Sequence, residues 1–515
     1  MENNVENGSK KLKVTKKVSW MPKRRMTVMA VIVATLGSFG LGMTLVWSAI
    51  GLKSLKESVE FSGITETEES LIGSIIYLGA LLSAPLTGLL ISAIGRKQTM
   101  LISAVPCFLG WMLIAFAQNV WMIYLGRFIT GFCGGTFTVA VPTYVSEVTE
   151  NRIRGTLGTV MILMLVFGIE FTFIVGAFVN WFWLSIVAAC VPVIFFIFMI
   201  FMPESPRYLI IKRQPSAARK ALKWLRRAST KRHIEPEMSQ IENSVTSSNS
   251  SPSQSCSISD IMKSSVLKPI GVSITLLAFS QLSGMNGISL YTSAVFEKAG
   301  TDMDPRFALI IIWGAQALSV LVVTFFLVEN FGRKTLMIVS SLVMIIGLIA
   351  FGYSFHVLVG NKIPDEWAFL PLTALVTFII GYNVGMGPIP WLIISEILPP
   401  KVRETASSIV TFFYWALSFL AGFTFIPLEN LLGNPTLYWG CAVVTFMSTL
   451  FVIFVVPETR GMTSDEIQAH FGARLKSSST PKDLELQNET EFNNRGEKDE
   501  GISNPGFDEI DIHTS

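Results

Sequence analysis

The stretch PTYVSEVTENRIRG, Pro142 to Gly155, closes one long apolar run and opens another, and it has an echo in ISEILPPKVRET, Ile394 to Thr405. In each copy a Glu ends the first run and an Arg seven residues later begins the second: Glu147 and Arg154, then Glu396 and Arg403. A Gly-Arg-Lys triplet stands upstream of each, at Gly95-Arg96-Lys97 and Gly332-Arg333-Lys334. A charged cluster written twice between apolar runs is expected of a membrane carrier assembled from two like halves.

Composition points the same way. Half of the residues are hydrophobic, 37 of 515 are Phe, 15% are charged and the mean hydropathy is +0.52, whereas soluble domains carry roughly one quarter charged residues. A helix needs about 20 apolar residues to cross a bilayer. Twelve segments qualify: 26–50, 71–94, 99–118, 120–146, 156–178, 181–202, 267–296, 306–328, 334–356, 367–395, 404–427 and 436–456. The expected fold is an all-α membrane protein of twelve transmembrane helices in two six-helix halves, 26–202 and 267–456. Around them lie a basic N-terminus (1–25), a loop with short amphipathic helices (203–266) and a largely disordered tail (457–515).

Lys and Arg near span ends favour the cytoplasmic side. Lys10, Lys11, Lys13, Lys16, Lys17, Lys23, Arg24 and Arg25 precede the first span, and Glu57, Glu60, Glu66, Glu68 and Glu69 follow it. Alternation then places both termini and both charged clusters in the cytoplasm. The basic start runs into a span too long for a cleavable leader. Cys107, Cys133, Cys190 and Cys441 fall within spans and Cys256 in the inner loop, so none suits an extracellular disulfide. The acceptor sequons at Asn7, Asn249 and Asn488 are assigned to the cytoplasm. Within the loop, Ser216 to Arg227 (SAARKALKWLRR) sets Ala217, Ala221, Leu222 and Leu225 on one side of a helix and basic residues on the other. That helix lies either on anionic lipid or under the bundle. Ser244 to Ser259 and the tail from Ser477 have a disordered composition.

Several function classes drop out. The net charge of +3 belongs to orientation signals, and no basic patch suggests nucleic acid. Four scattered histidines, no metal-ligand spacing and no phosphate-binding loop leave no catalytic constellation, no metal and no cofactor, so an enzyme is not expected.

Polar residues inside the spans mark an interior. The fourth span has Gly126, Gly131, Gly134 and Gly135, which permit close helix approach. Gly381, Gly385, Gly387, Pro388 and Pro390 loosen the tenth, tolerated only where backbone lines protein or a cavity. Gln281, Ser283, Gly284, Asn286, Gly287 and Ser289 do the same for the seventh. The motifs GRK (Gly95 and Gly332), GRFITGFCGG from Gly126, PTYVSEVTENRIRG from Pro142, PESPRYL from Pro203, QLSGMN from Gln281, GMGPIPW from Gly385 and PETRG from Pro457 jointly resemble the sugar porters of the major facilitator superfamily over all twelve spans. The flavour is that of insect trehalose and hexose facilitators.

That resemblance implies a major facilitator fold with a central site reached alternately from each side. It implies a cytoplasmic gate at Arg96, Glu147, Arg154, Glu204, Arg333, Glu396, Arg403 and Glu458, and sugar contacts at Gln281, Asn286 and Trp391. The chain departs from the pattern where Ser280 replaces an amide before Gln281, Ala317 stands for an eighth-span Asn, Tyr414-Trp415 for Asn-Trp, and Ile162 for a fifth-span Gln. Each lost amide is worth about 1–3 kcal/mol if it strands a hydroxyl. Ser280, Ser289, Tyr291, Gln316, Tyr414 and Trp415 are the residues available to rebuild a polar lining. Ser92 stands where the family often has an acid before Gly-Arg-Lys, which the second half keeps as Glu329.

Proton-driven relatives oppose the fourth-span Arg, here Arg127, with a first-span acid, and Met26 to Ile50 contain none. Glu170 is the acid within a span, and at 1.5 Å per residue it lies about 12 Å, and Arg127 about 10 Å, below the outer helix ends. The two are candidates to pair. The expected function is facilitative transport of a hexose or trehalose by a multi-pass plasma-membrane protein working as a monomer. The alternatives are a non-transporting sugar sensor on the same fold and a proton-coupled symporter using Glu170.

Overall fold

Apolar segments become helices because hydrocarbon offers no partner for exposed backbone N–H and C=O groups. The computed structural model describes residues 25–150, 153–227, 234–250, 262–298, 305–327, 330–360, 369–399, 402–460, 462 and 464–471. Among them, eleven helices are long and apolar enough to cross a membrane, and Phe307–Val322 is a shorter apolar helix.

The first group comprises α1 (Arg25–Lys56), α2 (Glu66–Ile94), α3 (Arg96–Ala115), α4 (Val120–Val148), α5 (Arg154–Gly176) and α6 (Trp181–Ile200). Three short helices follow: α7 (Pro206–Ile211), α8 (Pro215–Arg226) and α9 (Glu235–Ser250). The second group is α10 (Ser264–Leu282), α11 (Met285–Lys298), α12 (Pro305–Val322), α13 (Arg333–Gly360), α14 (Leu370–Gly381), α15 (Ile389–Ile397), α16 (Arg403–Leu432) and α17 (Asn434–Phe454), with α18 (Ser464–His470) after it. Packing repeats between the groups: α2 on α4 and α3 on α6 correspond to α12 on α14 and α13 on α17. Local signals set the starts. Asn119 and Asn180 cap α4 and α6, accepting from the N–H of Met122 and Trp183, and Thr65 with Glu68 forms a reciprocal capping box on α2.

Two expected spans are broken. The seventh divides into α10 and α11 at Gly284, whose φ of +92° suits glycine. The tenth divides into α14 and α15 through a π-turn at Tyr382–Met386. The eighth gives α12 and then a π-turn at Val323–Leu327, which is why its regular helix is short. The Ser-rich loop is corrected in part, since α9 continues to Ser250; positions 251–261, the tail from Ser477, Cys256 and Glu329 lie outside the described residues.

Helix α8 packs under the bundle rather than facing away from it. Ala218 and Leu222 join Ile234 and Met238 in a small apolar cluster. The Thr27 hydroxyl donates to the Leu225 carbonyl at 2.9 Å, and Arg226 donates to Thr27 Oγ1 and to the Val148 carbonyl at 2.9 and 3.0 Å.

Three seams join the groups: α2 with α16, α5 with α12, and α1 with α11. The Asn430 amide donates to Glu66 at 2.6 Å, which puts the end of α16 beside the start of α2. Arg403 therefore lies at the same end of the bundle as Gly95 to Lys97. This is called the basic end, and the end bearing Glu66 the acidic end.

Candidate functional site

At the basic end the twice-written cluster folds into one geometry twice. Arg96 Nη2 meets Glu147 Oε1 at 2.8 Å, and Arg333 Nη2 meets Glu396 Oε1 at 3.5 Å. Glu204 accepts the backbone N–H groups of Arg96 and Lys97, and Glu458 those of Arg333 and Lys334, at 3.0–3.2 Å. Lys97 and Lys334 each reach a carbonyl of their own group's last long helix, Ile200 at 2.7 Å and Ile453 at 2.6 Å. The glycine of each triplet now has a reason: a Cβ on Gly95 would lie 2.6 Å from Glu204 Oε2, and one on Gly332 would strike Glu458 Oε2.

In this arrangement Glu204 and Glu458 cap α3 and α13 at the positive helix ends. Burial pushes the Glu204 carboxyl up from its ordinary value, while the N–H groups of Ser205, Lys97, Gln98 and Arg96 pull it back. Arg154 stands exposed at the start of α5, and Arg403 donates to the Leu398 carbonyl of its own group at 3.3 Å. Ser92 is turned onto its own helix, donating to Gly88.

At mid-height the two breaks face one another. Asn286, just past the first break, donates to Gln281 Oε1. Ser280 Oγ and the Tyr382 hydroxyl, in the second break, are 3.1 Å apart. Trp391 is 40% exposed and meets Tyr414 edge-on at 4.9 Å. The Tyr414 hydroxyl lies against Gln281. The aromatic row continues through Trp415, 4.9 Å from Tyr414, to Tyr77 of α2, stacked on Trp415 at 6.0 Å. Ser280, Gln281, Asn286, Trp391, Tyr414 and Trp415 are thus brought together. Tyr382 and Tyr77 join them unannounced; the one available signal was that Tyr382 adjoins Gly381 in the loosened span.

The remaining candidates stand elsewhere. Tyr291 is a seam residue, its hydroxyl 3.3 Å from the carbonyls of Ser70 in α2 and Gly422 in α16. Ser289 is half-buried on α11. Gln316 sits in the α5–α12 seam, buried, with no partner for its Oε1. Arg127 and Glu170 do not pair. Arg127 is wholly buried, donates to the carbonyls of Thr44 and Ile72 at 2.7 and 3.3 Å, and lies 5.3 Å from the Trp47 ring centre. The first helix, which has no acid, offers Arg127 a backbone oxygen at Thr44, and the expected pairing with Glu170 is not formed.

Between the groups, the side-chain contacts described lie at mid-height or towards the acidic end: Tyr77 on Trp415, Tyr291 on α2, Phe173 on Trp313, and Asn430 on Glu66. Each ion pair described at the basic end closes within one group. The described contacts between the groups thus run from mid-height to the acidic end.

Comparison with known proteins gives a family model, two curated relatives and a solved structure. The family model described as sugar (and other) transporter matches residues 26–471. The facilitated trehalose transporter Tret1 of Polypedilum vanderplanki is 34% identical over 484 residues, covering 92% of this chain and 94% of that protein. Tret1 of Aedes aegypti is 34% identical over 454 residues, covering 88% of this chain, and this chain spans 56% of its length. Among solved structures, the inward-open conformation of the xylose transporter XylE from E. coli superposes with a TM-score of 0.72 at 21% identity, covering 85% of this chain and 98% of that one.

Proposed function

The chain belongs to the sugar (and other) transporter family, and on that premise we propose that it is a facilitative carrier for trehalose or a hexose. It is a multi-pass membrane protein, not an enzyme. In this reading twelve spans form two six-helix halves that rock about the mid-height cluster as a monomer in the plasma membrane. The basic end faces the cytoplasm by the charge rule, so the arrangement described is inward-facing.

The observation that carries the reading is the meeting of two interrupted spans at Gln281, Asn286, Tyr382 and Trp391. Amides and hydroxyls at the breaks match sugar hydroxyls, and an exposed indole matches the C–H face of a sugar ring. A named trehalose transporter as relative favours a disaccharide over a hexose alone. Passive flux is favoured because the first span carries no acid to oppose Arg127, whose Nε and Nη1 donate to carbonyls instead. The partnerless Glu170 Oε1 supports one second reading, proton symport.

Uptake of labelled trehalose, glucose and fructose, with and without a proton gradient, tests this directly. Saturable entry of at least one sugar, unchanged by the gradient, is expected; dependence on the gradient would favour symport, and no entry at confirmed surface levels would favour a sensor. Gln281→Ala and Trp391→Ala are each expected to raise KM about tenfold, the loss of roughly 1.4 kcal/mol of binding, with uptake normalised to each variant's surface level.

A further inference from the structure

The seam between α5 and α12 buries polar atoms that the chain leaves unsatisfied. Phe173 and Trp313 stack across it, ring centres 4.8 Å apart and planes 12° from parallel. Helix α5 runs from the basic to the acidic end and α12 in the opposite sense, so Glu170 and Gln316, each three residues from its stacked partner, lie at one level. That level is about 4.5 Å along the axes from the stack, on its basic-end side.

Glu170 Oε1, Gln316 Oε1 and Trp313 Nε1 are all buried without a hydrogen-bond partner, and Gln316 is only 7% exposed. A single stranded buried group costs about 1–3 kcal/mol, and more when charged. Arg127, the cation at comparable depth, is committed to Thr44, Ile72 and Trp47. Two acceptors and one indole donor therefore lie along one seam, at the aromatic stack or one turn to its basic-end side.

We propose that Glu170 and Gln316 form a subsite for neighbouring hydroxyl groups of the transported solute, with Trp313 Nε1 donating to a solute oxygen. The subsite deepens the sugar reading and rests on it. Two hydroxyls donate to the two Oε1 atoms, one bond being charge-assisted when Glu170 is ionised, and these run about twice as strong as neutral ones. A polyol fits this chemistry; an apolar solute leaves all three atoms stranded.

Binding of labelled trehalose and glucose to the purified full chain provides the test. Wild type is expected to bind at least one, and Glu170→Gln and Gln316→Leu each to weaken it about tenfold while melting temperatures without sugar stay within a few degrees. In wild-type protein, the same sugar is expected to slow modification of Glu170 by a hydrophobic carbodiimide, read by peptide mass. Wild-type binding with both variants within twofold of it, or unslowed modification at saturating sugar, overturns the subsite and leaves the carrier reading standing. No binding of either sugar by wild type overturns both.

Discussion

Replacing Gly131 by Leu is expected to abolish folded protein at the membrane, the largest single effect that the packing implies. Helices α2 and α4 approach so closely there that a Cβ on Gly131 would lie 2.6 Å from the Ile76 Cα and one on Gly79 would lie 2.7 Å from the Phe132 N. These are backbone atoms, which no rotamer change moves aside. Overpacking costs about 1–3 kcal/mol even where side chains yield, and here the helices must separate along their length. Close small-residue contact is also what holds such helices together in lipid, since burying apolar surface drives nothing there. Gly158 makes the contrast: a Cβ there meets nothing within 4 Å, so Gly158→Ala should reach wild-type levels. Detergent-solubilised fluorescence size exclusion of the two variants decides it; a monodisperse Gly131→Leu peak at wild-type height would contradict the packing account.

Arg154→Ala and Arg403→Ala are expected to trap the carrier with its basic end open. In the state described, Glu147 and Glu396 are held by Arg96 and Arg333, whereas Arg154 is exposed and Arg403 donates to the Leu398 carbonyl. In the proposed cycle, closing the basic end brings the two groups together there and lets these arginines meet the acids of the opposite group. Exposed ion pairs are worth about 0–1 kcal/mol, but charge-assisted bonds that become buried reach about 1.5–3. Losing one or two of them disfavours the closed basic end by roughly tenfold to a hundredfold. Maximal uptake per surface molecule should fall accordingly, with sugar affinity measured from the basic side unchanged. Uptake at wild-type rates in both variants would leave these arginines with an orientation role only.

Patterns carried by consecutive residues could be read without coordinates. The Gly-Pro run of the tenth span and the glycines and amides of the seventh announced the two interruptions, and the basic-and-apolar periodicity of Ser216 to Arg227 announced α8. Features set by a distant partner could not. That Glu204 and Glu458 cap helix starts over one hundred residues away is not written in the sequence around either carboxylate. Arg127 seemed to need an acid because main-chain oxygens from α1 and α2 are invisible as partners until the helices pack. Tyr291, a polar residue within a span, was grouped with the lining; its hydroxyl instead spans a seam between two carbonyls. The mid-height cluster was half legible, since Gln281, Asn286 and Trp391 stand in motifs, while Tyr382 and Tyr77 enter through tertiary contact.

Counterflow in liposomes tests the carrier mechanism most directly. Vesicles holding the purified chain are loaded with unlabelled trehalose and diluted into a trace of labelled trehalose, and the same is done with glucose. A protein that alternates access with its site occupied must draw label transiently above its outside concentration, because each return carries unlabelled sugar out. The account predicts such an overshoot for at least one of the two sugars, decaying to equilibrium. Label that never exceeds the level in empty liposomes, for either sugar, would contradict it.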